Sequence, residues 1–404
     1  MKYLLLIGDG MGDWPQAALG GKTPLAAAET GNLDFMAQNG TLGLARTVPE
    51  GMPPGSDVAI MSLMGYNPQG ILTGRGPLEA ASMKIETAPD ELVFRMNLVT
   101  LGHEGDSHYM RNHAAGNIPS EDAAELVEAL AKELPLTEGQ RLFSGVSYRH
   151  LFTWPGMKPA DVPSIPPHDF RDQEVSHLLN DPAAKPLMDL AKASWEILGS
   201  HPVNRKRGAE GLPPANSIWL WGPGLRPQVK TYQERWGVTG ATVSAVDLIK
   251  GLGILTGLER IDVPGATGWL DTNYEGKVKA TLEALEKYDY VVVHIEAPDE
   301  CSHQGLLDMK LKAISEFDSK VVGPLLSAMP RFGEEFRILA ACDHFTPLEL
   351  KTHSAEPVPF ILYSSTVGEL KPSGLTYDEA NAASTGVLVD PGAELGHLLF
   401  GQEK

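Results

Sequence analysis

The strongest constraint on this chain is a repeated pattern of short, unbroken apolar runs that stop at acidic residues. Tyr3–Ile7 leads into Gly8-Asp9-Gly10, Tyr290–Ile295 into Glu296-Ala297-Pro298-Asp299, and Phe336–Ala341 into Cys342-Asp343-His344. Ser217–Trp221 and Pro359–Tyr363 are further runs of the same kind. Runs this short, without polar alternation, are expected as strands covered on both faces. Between several of them lie stretches with helical periodicity, including Tyr274–Lys287 and Leu311–Ala328. Such alternation predicts an α/β fold with a mostly parallel sheet. Function gathers at the carboxyl ends of strands in these sheets, and here three strand ends deliver carboxylates.

The middle of the chain reads differently. From about residue 79 to about residue 240 it is richer in Pro, His and Arg, with helical patterns at Ser120–Leu134 and Ala184–Leu198 and a Pro-rich loop at Pro155–Pro167. A length of 404 residues suits two domains. The division expected is a core made of residues 1–80 and 241–404, with an α+β domain of residues 81–240 inserted into it.

Composition narrows the function classes. A net charge of −19 leaves no basic footprint for a nucleic-acid backbone. It does not disfavour small anions, because bound cations and a few arginines set the potential inside a cleft. The N-terminal run is too short for a signal segment, and no apolar stretch reaches the length of a membrane span. The two cysteines, Cys301 and Cys342, form no CxxC pair, so neither a disulfide scaffold nor a zinc ribbon is expected. A soluble cytoplasmic protein is the expectation. No heptad pattern marks an oligomer interface, and the oligomeric state stays open.

Several residues at the strand ends suit chemistry. Asp299 and His303, four apart, share one face of a helical turn and can chelate one ion or form a surface ion pair. Asp343-His344 follows a buried run and can serve as ligands or as a helix cap. His353 precedes another apolar run, and Asp9 sits in a glycine turn that lets the backbone approach a ligand. Carboxylate and imidazole donors together suit Mn²⁺ or Zn²⁺, with Mg²⁺ or Co²⁺ also usable. Ser56, in Pro53-Pro54-Gly55-Ser56-Asp57, is placed near a helix N-terminus, where it can be a cap or a nucleophile facing an anion. No histidine is close in sequence to act as its base, but a metal can activate the hydroxyl instead. Arg75, Arg95, Arg149 and Lys277 are candidates for binding phosphate or carboxylate.

The order Asp9, Ser56, Asp299-x-x-x-His303, Asp343-His344, His353 resembles the alkaline phosphatase superfamily. More closely, the chain resembles the cofactor-independent phosphoglycerate mutases of the shorter, archaeal type. The likeness includes Gly8-Asp9-Gly10-Met11, Lys22-Thr23-Pro24-Leu25, Thr73-Gly74-Arg75-Gly76-Pro77-Leu78-Glu79-Ala80, Pro264-Gly265-Ala266-Thr267-Gly268, Asp271-Thr272-Asn273-Tyr274 and His294-Ile295-Glu296-Ala297-Pro298-Asp299-Glu300. It covers nearly the whole chain.

The resemblance implies an alkaline-phosphatase-like core and a substrate-binding inserted domain. It implies two divalent metal ions, Mn²⁺ first among them, one held by Asp299, His303 and His353 and the other by Asp9, Ser56, Asp343 and His344. It implies that Ser56 takes the phosphoryl group of 3- or 2-phosphoglycerate and returns it to the other hydroxyl, within a site closed to water. Asn117 departs from the pattern, standing where family members more often carry histidine, with His113 nearby. The stretches Thr47–Met52 and Glu79–Ile85 resemble a subgroup proposed to include homoserine kinase-like proteins. A homoserine kinase-like phosphotransferase or a phosphatase on the same metal core is therefore the alternative.

Overall fold

The computed structural model describes residues 1–333, 335–366, 368 and 370–401. The strands, in chain order, are β1 (Lys2–Gly8), β2 (Thr41–Ala45), β3 (Glu91–Glu104), β4 (Ser107–Asn112), β5 (Arg141–Phe143), β6 (Arg149–Pro155), β7 (Ser217–Gly224), β8 (Gly240–Val243), β9 (Glu259–Ile261), β10 (Tyr290–Ile295), β11 (Phe336–Ala341), β12 (Val358–Ser364) and β13 (Leu388–Val389). They fall into two sheets, one in each of two compact units: residues 1–71 with 229–404, and residues 72–228.

The first unit carries a sheet in the order β13-β2-β12-β11-β1-β10-β8-β9. The pairs β1–β10, β1–β11, β10–β8, β8–β9 and β13–β2 run parallel, while β12 is antiparallel to both β11 and β2. This is the mostly parallel α/β sheet expected. The apolar runs form its centre, with Leu4–Ile7 and Tyr290–Val293 shut off from solvent. Helices Tyr274–Lys287 and Leu307–Phe317 bury their apolar stripes in this unit. The second continues through a π-helical turn, Asp318–Val322, into the helix Gly323–Ala328.

Adjacent β1, β10 and β11 run parallel, so their carboxyl ends open in one direction. Asp9, Glu296 and Asp343 follow those ends, and the helix Ala297–His303 carries Asp299 and His303 on one face.

The second unit is α+β. Its strands pair antiparallel, with β3 in the middle against β4, β6 and β7, and with β5 beside β6. Ser217–Trp221 lies here, in β7, and not in the parallel sheet. Its side chains are buried on both faces, the same signature that a parallel strand leaves in sequence. Helices Ser120–Glu133 and Lys185–Ser200 pack their apolar faces into this unit's core with Phe94, Phe152 and Trp219. The Pro155–Pro167 region is a loop apart from single turns at Pro159–Asp161 and at Pro167–Phe170.

The units part at 71/72 and 228/229 rather than at 80/81 and 240/241. Helix Gly76–Ser82 belongs to the second unit, because Gly76 lies so close to the Val93 carbonyl of β3 that a Cβ has no room. Tyr232 and Trp236 belong to the first, in an aromatic cluster with Tyr66, Tyr290 and Phe400. Among the described residues, no helix is long and apolar enough to cross a membrane.

Candidate active site

The site residues of the first unit come from chain segments as far apart as Asp9 and His353 and meet at the strand ends. Two overlapping groups form. In one, Asp9, Asp343 and His344 are all buried, with ligand-capable atoms within 4.8 Å of one another. In the other, Asp299, His344 and His353 meet the same limit. His303 joins the second group: its Nε2 is 3.0 Å from Asp299 Oδ2 and 3.1 Å from His353 Nε2.

Hydrogen bonds fix the chemistry of the first group. His294 Nε2 donates to Asp9 Oδ2 at 2.8 Å, while Ser244 Oγ lies 3.1 Å from its Nδ1. Burial, aided by nearby Lys277, pushes the His294 imidazole down to about 3, so the ring is neutral. Asp343 Oδ1 accepts from the backbone N–H groups of Gly10 and His344 at 3.0 and 2.9 Å. The other oxygens, Asp9 Oδ1 and Asp343 Oδ2, are buried with no hydrogen-bond partner among the described residues. They lie 3.7 and 3.2 Å from His344 Nε2. Burial first, then the Asp343 and Asp299 charges, raises the Asp9 carboxyl well above its usual range. Buried carboxylate oxygens converging on an imidazole nitrogen are costly unless a cation satisfies them. The residues present therefore fit a divalent metal ion.

The second group is balanced differently. Burial alone would raise Asp299, but the His303 hydrogen bond, with His353 Nε2 close by at 3.6 Å, overcomes it and holds the carboxyl well below the usual range. His303 Nδ1 faces the Lys351 carbonyl at 3.0 Å, and this nitrogen must donate. With Nε2 donating to Asp299, the ring is an imidazolium, and the Asp299 bond raises it to about 9.

Ser56 is the first residue of the helix Ser56–Leu63, with Gly55 as its cap. Its Oγ lies 3.2 Å from His344 Nε2, on the edge of the buried group. The two residues are 288 apart in sequence.

A family model described as 2,3-bisphosphoglycerate-independent phosphoglycerate mutase matches residues 37–204. A probable mutase of that name from Geobacter sulfurreducens is 49% identical, over 99% of this chain and all of its own length. The Methanothrix thermoacetophila mutase is 48% identical over 99% of this chain and 100% of its own. The chain belongs to this family. By family it is an enzyme, an isomerase. Among solved structures, the cofactor-independent phosphoglycerate mutase from Thermoplasma acidophilum superposes with a TM-score of 0.64 at 26% identity, covering 99% of both chains. A protein from Pyrococcus horikoshii does so with a TM-score of 0.80 at 29% identity, covering 98% of this chain and 96% of its own.

The other expected residues of this mutase-family chain divide between the units. Lys277 is buried in the first, donating from Nζ to the His294 carbonyl at 3.1 Å. Burial, opposed by Glu296, lowers its ammonium to about 8. Its contact is with the strand behind Asp9. In the second unit, Arg95 pairs with Glu79 at 3.0 Å and lies over the Trp221 ring at 4.3 Å. Burial lowers the Arg95 guanidinium, and the Arg75 and Arg149 charges lower it further. His168 and His113 stand beside this group, with His168 edge-on to Trp221 at 5.3 Å. The Arg75 and Arg149 charges thus act on Arg95. Asn117 sits exposed in a turn at φ 53°, a left-handed conformation that asparagine tolerates.

His294, Ser244 and Thr346 were not singled out from sequence. His294 did leave a signal, as the one imidazole inside the apolar run Tyr290–Ile295. Ser244 and Thr346 left none.

Proposed function

We propose that this chain interconverts 3-phosphoglycerate and 2-phosphoglycerate without added 2,3-bisphosphoglycerate, through a phosphoserine at Ser56. The observation that carries the reading is the Ser56 hydroxyl placed 3.2 Å from His344 Nε2, beside the unpartnered carboxylate oxygens. Asp299, His303 and His353 would hold one divalent ion, and Asp9, Ser56, Asp343 and His344 a second, with Mn²⁺ the favoured metal. When bound, the ions supply Lewis-acid polarisation of phosphoryl oxygens and offset the acidic cluster. The P–O bond to one glycerate oxygen breaks as the Ser56 Oγ–P bond forms, and the proton lost from the serine hydroxyl balances the one gained by that oxygen. The other glycerate hydroxyl then gives up its proton and takes the phosphoryl group back, restoring the serine hydroxyl. Neither water nor a second phosphorylated molecule is consumed. The Ser56–Leu63 helix dipole favours the anion at Oγ. In the inserted unit, Arg75, Arg95 and Arg149 recognise the substrate's anionic groups, for which bidentate guanidinium forks are suited. The relatives' identity of 46–49% along nearly the whole chain favours this reading over a homoserine kinase or phosphatase. A glycolytic role in the cytoplasm follows from the reaction.

The test is an enolase-coupled assay on Mn²⁺-loaded protein with 3-phosphoglycerate and no bisphosphoglycerate. Turnover is expected, and Ser56→Ala should lower it by on the order of a thousandfold or more while metal content stays near that of the wild type. Phosphate release without isomerisation, or ATP-dependent phosphorylation of homoserine, would overturn the reading.

A further inference from the structure

We propose that Thr346 is a positioning residue that joins the two ligand groups through one hydroxyl and sets the tautomer of His344. The proposal rests on the metal-site reading above. Thr346 is buried, and its Oγ1 donates to Asp299 Oδ1 at 2.6 Å. The same oxygen lies 3.2 Å from His344 Nδ1. A hydroxyl has one proton, and here it is committed to Asp299, so the His344 contact requires Nδ1–H as donor. Nε2 of the neutral ring is then bare, and it is this atom that faces Ser56 Oγ, Asp343 Oδ2 and Asp9 Oδ1. One side chain therefore orients an oxygen of the second group and presents the lone pair of the first.

A buried ion pair holds Thr346 in turn. Lys310 Nζ donates to the Thr346 carbonyl at 3.0 Å and to Asp13 Oδ2 at 2.7 Å, and both charged side chains are fully excluded from solvent. The Thr346 N–H donates to the Gly12 carbonyl at 3.0 Å, and Leu348 N–H to Asp13 Oδ2 at 3.2 Å. The loop after β11 is thus tied to the loop after β1 on both sides of Thr346. Buried pairs of this kind add little net stability, so their effect is better sought in the geometry they impose. Gly10 completes the arrangement: at φ +60°, its place would put a Cβ 2.6 Å from Asp299 Oδ1 and 2.7 Å from Thr346 Oγ1.

The test compares Thr346→Val, which keeps the shape, with Thr346→Ser, which keeps the hydroxyl. Long-range ¹H–¹⁵N spectra of the metal-free protein should show His344 as the Nδ1–H tautomer in the wild type and in Thr346→Ser. In Thr346→Val the Nε2–H form should appear. Calorimetric titration with Mn²⁺ should show affinity falling about 10- to 100-fold in Thr346→Val, and staying within about threefold in Thr346→Ser. Should Thr346→Val not fold, Thr346→Ala carries the same expectation. An unchanged tautomer together with unchanged Mn²⁺ affinity in the folded hydroxyl-free variant would overturn the proposal. A wild type lacking mutase turnover but showing these spectral and affinity changes would sink the functional reading and leave the role of Thr346 standing.

Discussion

Asp9 and Asp299 converge on the same histidine, yet their carboxyls depart from the usual range in opposite directions. Asp9 is raised by burial and by the neighbouring Asp343 and Asp299 charges. Asp299, almost as buried, is lowered because His303 hydrogen-bonds to it and His353 stands beside it. The difference lies in where the counter-charge resides. The Asp299 group carries its own, the His303 imidazolium anchored between Asp299 and the Lys351 carbonyl. The Asp9 group has only neutral donors, His294 and backbone N–H groups. One group must be completed from outside, and the other must give up a proton before it can bind a cation.

Breaking the first group should therefore have the largest effect. Asp343→Ala is expected to lower mutase turnover by on the order of a thousandfold or more and to remove one bound metal equivalent. Turnover assays and elemental analysis after dialysis check this; retention of both equivalents would dissolve the distinction. His303→Asn should weaken metal binding about 10- to 100-fold, with the remaining equivalent still held by the Asp9 group. Stepwise calorimetric titration reads that loss.

A pH series sharpens the comparison. His303 is raised to about 9 from an ordinary 6.5, so its contribution to metal-free stability is full below about pH 6.5 and is lost as pH rises through 9. Because the ring is partly exposed, the loss should be about 1 kcal/mol, read from denaturant midpoints. A cation must displace this proton, so Mn²⁺ affinity should rise with pH and level off above about 9. Calorimetry in buffers of different ionisation heat should register the released proton.

The smallest effect belongs to a control for burial alone. Glu379, which belongs to neither group, accepts from Asp13 N–H and the Thr23 hydroxyl, and burial raises it to about 7. A carboxyl raised on folding contributes stability that is present below its ordinary 4.5 and lost as pH rises through 7. Glu379→Gln should flatten that fall, leaving the variant about 1 kcal/mol more favourable at pH 8 than the wild-type trend. Thermal melts between pH 5 and pH 8 provide the check.

The sequence revealed the acidic strand ends because an unbroken apolar run followed by aspartate is a local pattern. It did not reveal what joins them. Lys310 reads as one more solvated lysine on the helix Leu307–Phe317, and only the approach of Asp13 from 297 residues away makes it a buried clamp. Thr346 is equally silent, since its hydroxyl acquires meaning only between Asp299 and His344. Ser217–Trp221 misled for the opposite reason: apolar burial on both faces records that a strand is covered, not which sheet covers it. Arg75, Arg95 and Arg149 are legible as residue types, but that the Arg75 and Arg149 charges act on Arg95 follows from folding, not from spacing.

The place of β1 in its sheet has a consequence for how the molecule comes into being. β1 lies between β10 and β11, so this strand pairs with strands beginning at Tyr290 and Phe336, far later in the chain. At about 5–20 residues per second, roughly 15–60 seconds separate its emergence from that of its first neighbour. The inserted sheet, whose strands all lie between Glu91 and Gly224, has every partner in hand by then. Both groups of candidate ligands share His344, so neither is complete until that residue has emerged.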